Sequence, residues 1–235
     1  MDNNNNIHLI TYATHSEGTF HELLNNKHKI HIEVLGWGRP WNGYMDKINY
    51  TNEYIKTLPD NDIIIFIDGF DSEIIEPLPI IKKRFLDLHS DIVLSQQDYS
   101  NYVQYYIQKK HFGSCKYNYI ANAGLYAGYN NKIQKLLDHI QKIKYSDDDQ
   151  SCLNHACQYF DNLTIDIDNK LFHNLNHYER LYGNDLSNAC IISTPGVLTW
   201  NRIYRSFFEY NYIQLLYKEV LLIIVIIIIL YYKCF

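Results

Sequence analysis

Between Asn61-Asp62 and Asp68-Gly69-Phe70-Asp71 lies an unbroken apolar run, Ile63-Ile64-Ile65-Phe66-Ile67, and it narrows the folds open to this chain. A short run without polar alternation reads as a strand buried on both faces, the habit of central strands in sheets covered by helices on each side. Its surroundings agree. IHLITYAT alternates and ends in small residues, as a first strand feeding a loop does, and HELLNNKHKI then has helical spacing. IHIEVLGWG reads as a second strand ending at Gly36 and Gly38, GRPWNGYM as a loop, and KINYTNEYIKTL as a helix over 47–58. Strand, helix, strand, helix, strand is the opening of a doubly wound parallel sheet.

Farther along, LPIIKKRFLDLH is a helix and DIVLSQQ a strand. KYNYIANAGLYAGYNNKIQKLLDHI is a strand and a Gly-containing turn leading into a helix. SDDDQSCLNHACQYF opens with helix-start chemistry, and LTIDIDNKLFHNL is a further strand and its exit. No repeat or linker interrupts the 235 residues, a length suited to one α/β core. The organisation expected is a loose N-terminus over 1–6, a domain over 7–208 and an apolar tail over 209–235. Within that tail Val220 to Tyr232 is uninterrupted and apolar. It falls short of the roughly twenty residues that span a bilayer comfortably, so a C-terminal membrane anchor stands beside a buried strand as its reading.

Twenty-one basic against 26 acidic side chains leave a net charge of −5, with no basic field to follow a nucleic-acid backbone. Nucleic acid is therefore not an expected partner. Cys115, Cys152, Cys157, Cys190 and Cys234 are odd in number and form no CxxC, so they read as reduced, buried thiols. MDNNNNIHLI has no basic region before an apolar run, which is not the pattern of a secretory signal. A domain on the cytoplasmic side, in a reducing compartment, is expected, tethered to a membrane if the tail inserts.

Several clusters of residues can carry chemistry. Asp68 and Asp71 follow the apolar strand at the place where open α/β sheets bind ligands, and two carboxylates there can chelate a hard cation together with diphosphate oxygens. Asp-Gly after a strand is also hairpin chemistry. In Ser146-Asp147-Asp148-Asp149-Gln150 the aspartates suit the first turn of a helix, or else meet sugar hydroxyls or an acceptor nucleophile. Asn122-Ala123-Gly124-Leu125-Tyr126-Ala127-Gly128 lets backbone approach a ligand, or turns a strand into a helix. The loop holding Trp41, with Lys47 beyond it, offers an aromatic surface and a cation for phosphate, although tryptophan is commoner in cores. There is no GxSxG, Walker A, GxGxxG or HExxH arrangement.

Taken in order, ITYAT, GWGRPWN, Lys47, IIIFIDGFD, NAGLYAG, SDDDQ and IDIDNKLFHNLN resemble the glycosyltransferase domain of procollagen lysyl hydroxylases, over about residues 7 to 203. The resemblance implies a GT-A-like, Rossmann-like α/β fold with a mostly parallel central sheet flanked by helices. It implies Mn²⁺ as metal and a UDP-sugar, UDP-glucose or UDP-galactose, as donor. The acceptor it implies is a hydroxyl, hydroxylysine of a collagen-like protein in the family. By the same resemblance Asp68 and Asp71 are the metal pair, and Asp148 and Asp149 the acidic residues of transfer. Thr14, Trp41, Lys47, Phe70, Asn122, Gly124 and Gly196 are the substrate-binding positions. One departure stands out: Ser193 takes the place of a histidine that is the family's third metal ligand. Serine is a poor replacement, which keeps a second reading open, a catalytically impaired, membrane-tethered module that retains the fold. No hydroxylase domain is present in the sequence, so lysine hydroxylation is not expected.

Overall fold

A computed structural model describes residues 5–99, 102–175, 188–195 and 221–228. Its elements run β1 (Ile7–Tyr12), α1 (Phe20–Leu24), β2 (Ile32–Leu35), α2 (Met45–Ile55), β3 (Ile63–Ile67), β4 (Ser72–Ile74), α3 (Leu78–Asp87) and β5 (Ile92–Gln96). They continue with α4 (Tyr102–Phe112), β6 (Ala121–Tyr129), α5 (Asn130–Ile143), α6 (Asp149–Ala156), β7 (Leu163–Asp166), β8 (Phe172–Asn174) and β9 (Ile191–Ser193). Six strands form the central sheet in the order β2-β1-β3-β6-β5-β7. β6 pairs antiparallel with both neighbours and the other pairings are parallel, so the sheet is mostly parallel, as a GT-A-like Rossmann-type fold requires.

β3 is buried throughout because its two faces feed two cores. Ile64 and Phe66 pack with Ile10, Tyr12, Leu94 and Tyr126 beneath α2, α5 and α6. Ile63, Ile65 and Ile67 pack on the opposite side with Leu9, Leu23, Ile81, Phe85 and Phe172. Alternation along a strand thus appears as two apolar sets instead of one apolar and one polar set. α5 buries Ile133, Leu136, Leu137 and Ile140, the spacing of one helical face.

Several expectations are corrected. The NAGLYAG segment is no turn: it is the body of β6, and its glycines lie within the strand. A Cβ on Gly128 would come 2.7 Å from the backbone oxygen of Asp91, so glycine there serves close strand packing. HELLNNKHKI is helical only to Leu24. There the buried Asn26 side chain accepts from Ile30 N–H and donates to the Leu23 and Ile30 carbonyls, holding a turn in place of helix. LTIDIDNKLFHNL divides between two sheets, because the Asp166 carboxylate accepts the backbone N–H groups of Lys170, Leu171 and Phe172 and turns the chain out of the central sheet. β8 then joins β4 and β9 in a three-stranded sheet of order β4-β9-β8 that the sequence pattern does not predict.

The thiol expectation also changes. Cys115 and Cys157, 42 residues apart, form a disulfide with a Cα–Cα distance of 5.8 Å, while Cys152 and Cys190 are free and buried. Spacing along the chain could not show this pair, because the pairing depends on α6 packing beside the approach to β6. Most of the tail lies outside the described residues. Over 221–228 it is helical with exposed apolar side chains, and among the described residues no helix is long and apolar enough to cross a membrane.

Candidate active site

The site is built where the parallel strands end and the reversed strand β6 begins. Asp68 leaves β3 with its N–H donated to the Gly124 carbonyl at 2.7 Å, and its Oδ1 accepts from the Phe70 N–H at 3.2 Å, which shapes the Asp68-Gly69-Phe70 turn. The Gly124 N–H in turn donates to Asn122 Oδ1 at 2.7 Å. A Cβ at Gly124 would lie 2.9 Å from Asn122 Oδ1 and 3.3 Å from Asp68 Cβ. Glycine here therefore lets β6 press against the carboxylate that ends β3.

Lys47, in the first turns of α2, reaches over this edge. Its Nζ lies 3.0 Å from Asp68 Oδ2 and 3.6 Å from Asp149 Oδ2, with little of the side chain in solvent. Burial alone would lower its pKa, but Asp68, Asp149 and Asp71 outweigh that and hold the ammonium above the usual lysine range. Asp149 is 5% exposed, and burial pushes its carboxyl up to about 6, against the pull of Lys47 and with Asp148 and Asp68 adding to the rise. A carboxyl so placed exchanges a proton near neutrality, the range in which general acid–base groups operate.

The two candidate transfer aspartates differ. Asp148 is the N-cap of α6, accepting from the N–H groups of Gln150 and Ser151 and from the Ser151 hydroxyl. It carries the structural role that an aspartate at a helix start predicts. Asp149 is the one that faces Lys47.

Asp71 directly precedes β4 of the smaller sheet. Its carboxylate accepts the Ser193 hydroxyl at 2.7 Å, and its carbonyl accepts the Thr194 N–H at 2.8 Å. Ser193 pairs with Ser72 across β4–β9. Ser193 thus orients the carboxylate beside it. Two hard oxygen donors at a strand end fit a divalent cation such as Mn²⁺ or Mg²⁺, which takes one or two carboxylates and completes its shell with phosphate oxygens and water. Among the described residues no group of three or more His, Cys, Asp or Glu is placed to hold a metal.

Aromatic side chains flank the site. Phe70 lies 5.5 Å from the His15 ring and 6.4 Å from Phe20, which stacks on the exposed Trp37. Trp41 is 45% exposed, so it is no core residue, and it packs on Tyr12 and Tyr44. The Thr14 carbonyl accepts the Gly38 N–H at 2.9 Å, tying the end of β1 to the Trp41 loop. Asp46 orders the same loop, accepting from the Asn42 N–H and the Tyr12 hydroxyl. Gly196 lies outside the described residues. The side chains of Gln97 and Gln150 meet at the edge of the site; Gln150 closes the SDDDQ motif without a role of its own, and Gln97 is signalled only by the polar pair Gln96-Gln97 closing an apolar strand.

Residues 3–214 match the family described as the PLOD GT domain. The chain belongs to the PLOD glycosyltransferase domain family. A relative in Caenorhabditis elegans, "Multifunctional procollagen lysine hydroxylase and glycosyltransferase", is 28% identical over 194 residues, an alignment covering 72% of this chain and 25% of the relative. The chain thus spans about a quarter of that relative's length. Within the PLOD glycosyltransferase domain, ITYAT closes β1, GWGRPWN follows β2, Lys47 lies in α2, IIIFIDGFD is β3 with its exit, NAGLYAG is the body of β6 and SDDDQ opens α6, while Asp166 of the last motif turns the chain toward the second sheet.

Proposed function

We propose that this domain transfers a hexose, glucose or galactose, from a UDP-sugar to a hydroxyl acceptor, with a divalent cation, Mn²⁺, held by Asp68 and Asp71. The reading is supported above all by the meeting of Asp68, Lys47 and Asp149 beyond the strand ends, within a family of glycosyltransferase domains. The bound cation would supply neutralisation of the charge growing on the departing UDP. Lys47 holds Asp68 and Asp149 in one place and adds positive charge beside the diphosphate. Asp149 accepts a hydrogen bond, or the proton itself, from the acceptor hydroxyl, while Asp148 keeps the first turn of α6 in register. Phe70, Trp41 and Thr14 line the approach of the nucleotide, and Asn122 and Gly124 let the sugar lie close to the backbone. The acceptor proposed is a hydroxyl on a collagen-like protein, in keeping with the name of the C. elegans relative. The apolar tail is proposed as a membrane anchor.

Calorimetric titration with UDP, with and without Mn²⁺, tests the donor site. Binding that requires Mn²⁺ and is lost in Asp68→Ala is the expected result; equal binding by Asp68→Ala would sink the metal assignment. One observation favours a second reading, a domain that keeps the nucleotide site and has lost turnover: Ser193, hydrogen-bonded to Asp71, stands where the resemblance calls for a histidine. Mn²⁺-dependent UDP binding without any hydrolysis of UDP-glucose or UDP-galactose would select it.

A further inference from the structure

At the edge of the site four amide side chains join α6 to the sheet. The Gln97 backbone N–H donates to the Ile120 carbonyl at 2.7 Å, fixing this residue just beyond β5 and opposite the start of β6. Its side-chain Oε1 then accepts from Asn122 Nδ2 at 2.8 Å and from Gln150 Nε2 at 3.0 Å. Asn122 and Gln150 are 5% and 9% exposed, so this carbonyl satisfies two amides that water reaches poorly. Asn154, one turn along α6 and fully buried, closes a second tie, with Oδ1 accepting the Ala121 N–H and Nδ2 donating to the Ala121 carbonyl.

Each partner of Gln97 leads to a reacting group. Asn122 Oδ1 holds the Gly124 N–H, and the Gly124 carbonyl holds the Asp68 N–H. Gln150 follows Asp149 directly, and its N–H is shared between the Asp148 and Asp149 carboxylates. One oxygen atom therefore couples the strand that places Asp68 to the helix that places Asp149.

We infer that Gln97 is a positioning residue for transfer: as a double acceptor it fixes the first turn of α6 against β6, so that Asp149 stays opposite Lys47 and Asp68. The inference rests on the reading of this cleft as the transfer site. A carbonyl or carboxylate oxygen at position 97 can accept both N–H groups, whereas an alkyl side chain accepts neither. Displacing a reacting group by about 1 Å can cost up to roughly a hundredfold in rate with little change in ground-state binding.

The test compares the full chain with Gln97→Leu, Gln97→Glu, Gln150→Leu and the Gln97→Leu/Gln150→Leu double variant. Mn²⁺-dependent hydrolysis of UDP-glucose and UDP-galactose is measured beside calorimetric UDP affinity. Gln97→Leu is expected to lower kcat by at least about tenfold with UDP affinity within about twofold, and Gln97→Glu to recover most of the loss. The double variant is expected to lose no more than Gln97→Leu alone, because that change already breaks the contact that Gln150→Leu removes. Wild-type turnover together with an unimpaired Gln97→Leu, a Gln97→Glu as slow as Gln97→Leu, or additive losses would overturn the role of Gln97 alone. Absence of any turnover by the wild-type chain would overturn the transfer reading, and the positioning role with it.

Discussion

A single buried carboxyl carries the clearest consequence for pH. Asp149 is lifted by desolvation from an ordinary 3.8 to about 6, despite the Lys47 ammonium 3.6 Å away. A carboxyl whose pKa is higher in the folded than in the unfolded chain favours folding while protonated. Its contribution is complete below 3.8 and is lost as pH rises through about 6. Asp149→Asn, which stays neutral, should match the wild type near about pH 4 and exceed it by about 1–3 kcal/mol near about pH 7.5. Urea denaturation across that range reads the difference, and parallel pH profiles would mean that Asp149 ionises freely in the folded protein. Transfer activity should fall in the same variant, the familiar opposition between stability and a charged site. At this scale the sequence was legible in part. Two adjacent aspartates at a helix start look alike on paper, and which caps and which faces the cleft is set by the residue at which the helix begins. Asp148, extended at the N-cap, points its oxygens back at the first N–H groups of α6, and Asp149, the first helical residue, faces Lys47.

Among the elements, α6 carries the most constraint. Its first turn is capped by Asp148, its side is tied to β6 through Asn154, and its exit at Cys157 is linked to Cys115 ahead of β6. Cross-linking residues 42 apart restricts the unfolded chain, an effect of about 2–4 kcal/mol for a loop of this length. Reduction, or the Cys115→Ser/Cys157→Ser pair, should therefore lower the midpoint of thermal unfolding, read by circular dichroism with and without reductant. An unchanged midpoint, with no protection of the two thiols from alkylation in the oxidised protein, would show that the bond does not form. The periodic elements β1, α2, α3 and α5, and the unbroken apolar run of β3, were readable in advance. α4 was not, because it buries little beyond Gln108 and Phe112 and leaves no apolar stripe to see.

For the whole molecule, the mostly parallel sheet gathers Thr14, the Trp41 loop, Asp68, Gln97 and Asn122 at one edge, and the small β4-β9-β8 sheet brings Ser193 to Asp71. The apolar side chains of 221–228 are all exposed, a surface that water does not stabilise. The proposed anchor predicts that the full chain sediments with phosphatidylcholine vesicles and that Leu222→Asp/Ile226→Asp releases it. A wild-type chain left in the supernatant would remove the anchor from the reading. Local pattern was enough to establish the α/β class, the buried central strand, the order of its flanking helices and the acidic residues after β3, because burial and helical phase are written in neighbouring residues. The disulfide, the second sheet, the Ser193–Asp71 contact and the amide tie through Gln97 arise between residues 19 to 122 apart in the chain. Nothing in the local sequence encodes such pairings. They follow from the direction in which β6 runs and from the turn at Asp166, where three backbone N–H groups converge on one carboxylate.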